Sequence, residues 1–149
     1  VVSIILFYLV TITRMGYKRI EIDGNDGTGK TTRVKFLKKM YPGYEILDRG
    51  LLSQWVMEDF RFNGWYQIDQ LMGFREDTLY ITLYTTVEKS QERIVKRGDS
   101  LDEEYHNKED LRKYNARFAF LAQHERVNFI KSDDFVESME QICSLIDSD

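Results

Sequence analysis

The chain has 149 residues, 42% apolar, 13% aromatic and 31% charged, which fits one globular domain and excludes a disordered chain. Its formal net charge of −4 excludes a general nucleic-acid-binding surface, so an anionic ligand would need a locally positive pocket. The single cysteine, Cys143, excludes an internal disulfide and a cysteine-rich zinc site; it points to a reducing, cytoplasmic setting and to a core thiol in an apolar helical pattern.

Residues 1–13, VVSIILFYLVTIT, carry no charge. As a helix they would span about 20 Å, short of the ~30 Å hydrocarbon core of a bilayer. No basic segment precedes them and no small-residue cleavage site follows, so a signal peptide fits poorly. The first methionine is Met15. Residues 1–14 are therefore expected to be an upstream or non-native extension, with a membrane anchor or an edge strand as alternatives, and residues 15–149 a single domain. Within it, KRIEID (18–23) reads as a strand. Residues 30–40 read as a helix with Val34, Leu37 and Met40 on one face and Arg33, Lys35, Lys38 and Lys39 around the others. The only proline, Pro42, breaks that helix ahead of a strand over 44–48. A helix over 50–60 carries Leu51, Leu52, Trp55, Val56 and Phe60. The run LYITLY (79–84) is a strand, followed by a helix over 87–97, a polar segment over 98–107 and a helix over 108–125 with Leu111, Tyr114, Phe118 and Leu121 in phase. A strand over 127–131 and a helix over 134–147 close the chain. Alternation of this kind predicts an α/β domain: a parallel sheet of about four strands between two helical layers, linked by right-handed crossovers.

Between the first strand and helix lies GNDGTGKTT, residues 24–32, which fits G-x-x-x-x-G-K-[ST] at Gly24, Gly29, Lys30 and Thr31. Glycines let successive backbone N–H groups of Gly24, Asn25, Asp26, Gly27, Thr28 and Gly29 converge on phosphate oxygens, and the following helix aims its free N–H groups at the same anion. Lys30 would bridge the β- and γ-phosphates of ATP, and Thr31, with Thr32 behind it, would place a hydroxyl on Mg²⁺. The loop predicts a three-layer P-loop NTPase fold. Such a loop needs a carboxylate at a neighbouring strand end: Asp48 follows the second strand as the metal-side group, with Arg49 beside it as a clamp for an acceptor's phosphate.

IDGNDGTGKTT, LDRG, LYITLYTTVEKSQERIVKRGD and NFIKSDDFVESMEQICSLI together resemble the thymidylate kinase and deoxynucleoside kinase branch of P-loop kinases, over roughly residues 18–149. The resemblance implies that Asp48-Arg49 touches metal and acceptor, and that the segment after KRG is a lid over ATP. Arg97, assisted by Arg93, would contact the triphosphate or the adenine. Asp26 would reach the acceptor's sugar, whereas Asp23 stands where a deoxynucleoside kinase places the carboxylate that takes the 5′-hydroxyl proton. A hydroxyl acceptor benefits from such a base and an already anionic phosphate does not. Residues 23 and 49 thus leave both routes open.

The chain departs from the pattern in three places. Asp48 follows Thr31 by only seventeen positions, so a strand and helix that thymidylate kinases place there are missing. The acceptor pocket is then expected from residues 49–76, among them Trp55, Phe60, Arg61, Phe62, Trp65 and Tyr66. The segment 98–111 has no arginine, and position 27 is glycine. Asp99, Asp102, Glu103 and Glu104 are expected to be solvated or to cap a helix, and His106 and His124 to be exposed and inert. The expected function is ATP- and Mg²⁺-dependent phosphoryl transfer to a deoxynucleoside monophosphate. A deoxynucleoside kinase and a non-catalytic nucleotide-binding module are the alternatives. The partner is a small nucleotide or nucleoside, without nucleic acid or membrane, and a homodimer is an allowed assembly.

Overall fold

The computed structural model describes residues 16–62, 73–101 and 106–148, the side chains of 58–62 excepted. The extension over 1–14, Trp65, Tyr66, Asp102, Glu103, Glu104 and the side chains of Phe60, Arg61 and Phe62 lie outside the described residues. The elements are β1 (Arg19–Gly24), α1 (Lys30–Met40), β2 (Glu45–Asp48), α2 (Leu51–Phe62), β3 (Thr78–Tyr84), α3 (Val87–Lys96), α4 (Lys108–Leu121), β4 (Val127–Lys131) and α5 (Phe135–Asp147). Among the described residues they follow the sequence-based expectation in type and order. The largest difference in bounds is α4, which stops at Leu121 because Ala122 caps it and the chain turns at His124 towards Val127.

The four strands form one parallel sheet in the order β2-β1-β3-β4. β1 lies between β2 and β3, so the chain leaves it on one side and returns on the other. The crevice at the carboxyl ends of such strands is where an open α/β sheet binds its ligand. Register brings the relevant groups to that end: Ile22 pairs with Asp48 on one side, and Asp23 with Thr82 on the other.

On one face of the sheet, Ile20, Ile22 and Ile81 pack with Val34 and Leu37 of α1 and with Met139, Ile142 and Ile146 of α5. Cys143 packs against this cluster, half-buried, as a core thiol should. On the other face, Leu52 and Val56 of α2 meet Tyr114, Phe118 and Leu121 of α4. Met40, expected on the buried face of α1, is 54% exposed. It falls in the last turn, and Tyr41 and Tyr44 cover the core there instead. Arg33, expected among the outer cations, is buried at 3% exposure.

The period-2 pattern of β1 sends Ile20 and Ile22 to one face and Glu21 and Asp23 to the other, and both acids are buried. Arg19 Nε donates to Glu21 Oε2 at 3.2 Å, and backbone N–H groups where α2 starts donate to both acids. Leu51 N–H donates to Glu21 Oε1 at 2.6 Å, and Gly50 N–H and Ser53 N–H donate to Asp23 Oδ1 at 2.7 and 3.0 Å. Helix starts leave such groups without intrahelical partners, and here strand carboxylates cap them. Gly50 permits the approach, since a Cβ there would stand 1.7 Å from Glu21 Oε1. Among the described residues, no helix is long and apolar enough to cross a membrane.

Leu37 is fully buried, so Leu37→Ala should lower the unfolding free energy by about 2–5 kcal/mol. Met40→Ala should change it by no more than about 0.5 kcal/mol. Guanidinium unfolding of the two variants checks the contrast.

Candidate active site

The loop from Gly24 to Gly29 joins β1 to α1, with Gly24, Gly27 and Gly29 at φ of 139°, 76° and 84°. α1 starts at Lys30 with no side-chain cap and no acid in its first turn, leaving its leading N–H groups for an anion. The loop is braced internally. The Asn25 carbonyl accepts from Thr28 Oγ1 and from Lys30 Nζ, each at 2.7 Å. Asn25 Nδ2 donates to Leu111 O at 3.0 Å and to Asn115 Oδ1 at 2.9 Å, which ties the loop to α4.

A cavity of about 740 Å³ opens over this loop. Its lining includes the cations Lys30, Arg33, Arg49, Arg93, Lys96 and Arg97 against the carboxylates Asp26, Asp48 and Asp133. Six against three makes it a locally positive pocket on an acidic chain. Lys30 is buried; that burial and the nearby Arg49 lower its pKa to about 8, against the pull of Asp26, Asp48 and Asp23. Thr31 Oγ1 donates to Asp48 Oδ2 at 2.8 Å, both residues being exposed. This hydroxyl–carboxylate pair at the strand end suits magnesium, which keeps most of its waters and takes few protein oxygens. Among the described residues, no group of three candidate ligands could hold a metal by itself.

Asp26 is the hub of the loop. Arg97 forks onto it, Nη1 to Oδ1 at 2.9 Å and Nη2 to Oδ2 at 2.7 Å, and His106 Nε2 lies 2.6 Å from Oδ2. Burial would raise the Asp26 carboxyl. The Arg97 fork, the charges of Arg97 and Lys30 and the His106 contact outweigh it and hold the group well below the usual carboxylate range. Arg97 also pairs with Asp99, so that acid is not simply solvated. His106 is neither exposed nor isolated: it is buried, with Nδ1 2.9 Å from Ser100 O. His124 is half-buried, stacked on Phe74 with its Nδ1 accepting from Arg126 N–H. Arg93 donates to Gly27 O at 3.1 Å and to Ser132 O at 2.7 Å, which puts it beside the loop as expected.

A second cavity, about 350 Å³, lies on the other side of Asp26. Ser53, Val56 and Met57 of α2 line it, and so do Tyr114 and Phe118 of α4 and His106. Asp26 and Arg49 line both cavities. Asp23 lines neither: it is fully buried, with Ser53 Oγ donating to its Oδ1 at 2.6 Å and, among the described residues, no hydrogen-bond partner for its Oδ2. Burial raises the Asp23 carboxyl above its ordinary range, against the donors from Ser53 and Gly50.

No family model matches the chain, and neither does any curated protein. Among solved structures, deoxyadenosine kinase from M. mycoides with bound dATP matches it with a TM-score of 0.60 at 16% identity, over 88% of this chain and 100% of that one. The likeness shows a shared fold. In this fold, the loop, the Asp48-Arg49 pair and the α3 arginines meet at the carboxyl ends of the strands. Asn115 and His106 carry no local signal and reach the loop through the fold, from α4 and the segment before it, whereas Arg33 lies on α1 and is turned inward by Ser132 and Ser138.

Asp26→Asn keeps the side-chain shape and removes the charge that fastens Arg97 and His106 to the loop. Charge-assisted hydrogen bonds contribute about 1.5–3 kcal/mol, so amide exchange at 99–101 and 107 should quicken at least about tenfold. Exchange at Ile20 and Ile22 should stay unchanged, as hydrogen-exchange NMR can test.

Proposed function

We propose that the chain transfers the γ-phosphoryl group of ATP, held in the larger cavity, to a deoxynucleoside monophosphate held in the smaller one. The observation that carries this reading is the shared wall: Arg49 and Asp26 line both cavities, beside the phosphate loop and Lys30. A phosphate arriving from the acceptor side therefore meets Arg49, and the same cation reaches the donor's cavity. Lys30 holds the β- and γ-phosphates, and the loop N–H groups bind their oxygens. Arg93 and Arg97 flank the triphosphate from α3, with Arg97 turning from Asp26 towards it as the nucleotide fills the cavity. The chemistry magnesium supplies when bound is neutralisation of charge on the phosphate oxygens; Thr31 and Asp48 are the residues that would hold it. An anionic acceptor needs no base, which agrees with Asp23 being buried and engaged in capping α2. Val56, Met57, Tyr114 and Phe118 give the acceptor cavity an apolar lining suited to a nucleobase.

A second reading, a kinase of free deoxynucleosides, is favoured by the likeness to deoxyadenosine kinase. There, Asp23 would take the 5′-hydroxyl proton, and among the described residues its Oδ2 has no hydrogen-bond partner. A panel of deoxynucleosides and their monophosphates, with ATP and Mg²⁺, decides between the readings. Turnover of monophosphates is expected, and ADP release without an acceptor should be negligible. Lys30→Ala should abolish turnover. Failure of every acceptor would sink the catalytic reading, and calorimetry showing ATP binding alone would then mark a binding module.

Lys30 also sets a pH dependence. In the free protein it loses its proton as pH rises through about 8, whereas a bound triphosphate favours the cation. ATP affinity should therefore fall above pH 8, by up to about tenfold per pH unit. Calorimetry in buffers of different ionisation heat should find proton uptake small at pH 7 and approaching about one proton at pH 9.

A further inference from the structure

Arg33 differs from the other α1 cations whose charge faces water. Lys35, Lys38 and Lys39 are exposed, while Arg33 is 3% exposed. Burying a guanidinium is costly unless its donors are matched, and no ion pair to a carboxylate offsets it among the described residues. Burial and the neighbouring Arg93 push it down to about 10, against the pull of Asp134. Its donors go to backbone and hydroxyl oxygens instead. Nη1 donates to Gly29 O at 3.2 Å and Nη2 to Ser132 O at 3.1 Å, and both Nε and Nη2 donate to Ser138 Oγ, at 3.1 and 3.0 Å.

Arg93 completes the arrangement from α3. It shares the Ser132 carbonyl with Arg33 and holds Gly27 O at 3.1 Å. Two guanidinium groups thus meet at the end of β4 and grip alternate carbonyls of the phosphate loop. The peptide unit is planar and trans, so fixing the carbonyls of Gly27 and Gly29 fixes the N–H groups of Thr28 and Lys30 in the same planes. Gly29 fits the same device: a Cβ there would stand 2.2 Å from Arg33 Nη1.

We propose that Arg33 is a positioning residue for nucleotide binding, which with Arg93 holds the loop carbonyls so that the phosphate-facing N–H groups are set before the nucleotide arrives. The role rests on reading the larger cavity as the triphosphate site. It differs from a tie between α1 and α5, because a tie would affect folding without changing the affinity of the folded molecules.

The test is calorimetric titration of ATP into the unaltered chain and into Arg33→Lys, Arg33→Met and Ser138→Ala, each with its melting temperature. Ser138 lines neither cavity, and its loss removes the oxygen that receives two of the guanidinium donors. Both Arg33 variants should raise the Kd for ATP about tenfold or more, and Ser138→Ala about threefold to tenfold, at unchanged stoichiometry. Arg33→Lys should not rescue, because an ammonium keeps the charge but cannot span three acceptors. Should Arg33→Met fail to fold, the other two variants decide. A Kd within about twofold of the unaltered chain in Arg33→Lys or Ser138→Ala would overturn the role of Arg33 alone. Absence of ATP binding by the unaltered chain would instead bring down the triphosphate reading, and this proposal with it.

Discussion

Two buried carboxylates on the polar face of β1 impose the constraint on which the site depends. Glu21 and Asp23 cannot stay in the interior without donors, and the N–H groups at the start of α2 supply one oxygen of each, while Arg19 pairs with the second oxygen of Glu21. That requirement fixes where α2 begins, and with it the path of the chain from Asp48 through Arg49 to Gly50. It also fixes Ser53, Val56 and Met57 on the rim of the smaller cavity. The placement of Arg49 between the two cavities is thus a consequence of how a strand satisfies its own acids.

The loop itself is held from three sides. Asn25 anchors it to α4, Arg33 and Arg93 to the end of β4, and Asp26 to the segment beyond α3. These contacts bridge residues 39 to 99 positions apart in the chain, for example 86 for Asn25 with Leu111. A flexible glycine-rich stretch becomes a defined cradle through these distant partners. Charge is distributed in the same way, since Asp26 sits between the cationic cavity and the apolar one, and it answers to Arg97 on one side and to His106 on the other.

The alternation of strands and helices was legible because apolar periodicity is a local property of the chain. The glycine loop between β1 and α1 and the place of Asp48-Arg49 at the end of β2 were legible for a related reason: both depend on spacing within one strand–loop–helix unit. Arg33 differs from the sequence-based expectation because a cation two positions from Lys35 looks like solvent-facing charge. Its burial is decided by Ser132 and Ser138, a hundred positions away. His106 was misjudged because no metal-like spacing surrounds it, and its carboxylate partner lies 80 positions upstream. Asp23 was correctly seen as a carboxylate at the strand end, but its engagement by α2 could not be read without knowing that α2 packs over β1.

Arg49 carries a further consequence of this architecture. It holds φ at 70°, and among the described residues it is the only non-glycine at positive φ. A side chain in that region carries conformational strain that glycine would not. The next position is already glycine, so the turn has a ready means of relaxing. Retaining an arginine at the strained position keeps its guanidinium between the two cavities at some expense of stability. Selection for thermal robustness alone would therefore tend to relax this turn first, and in doing so erode the junction between the cavities.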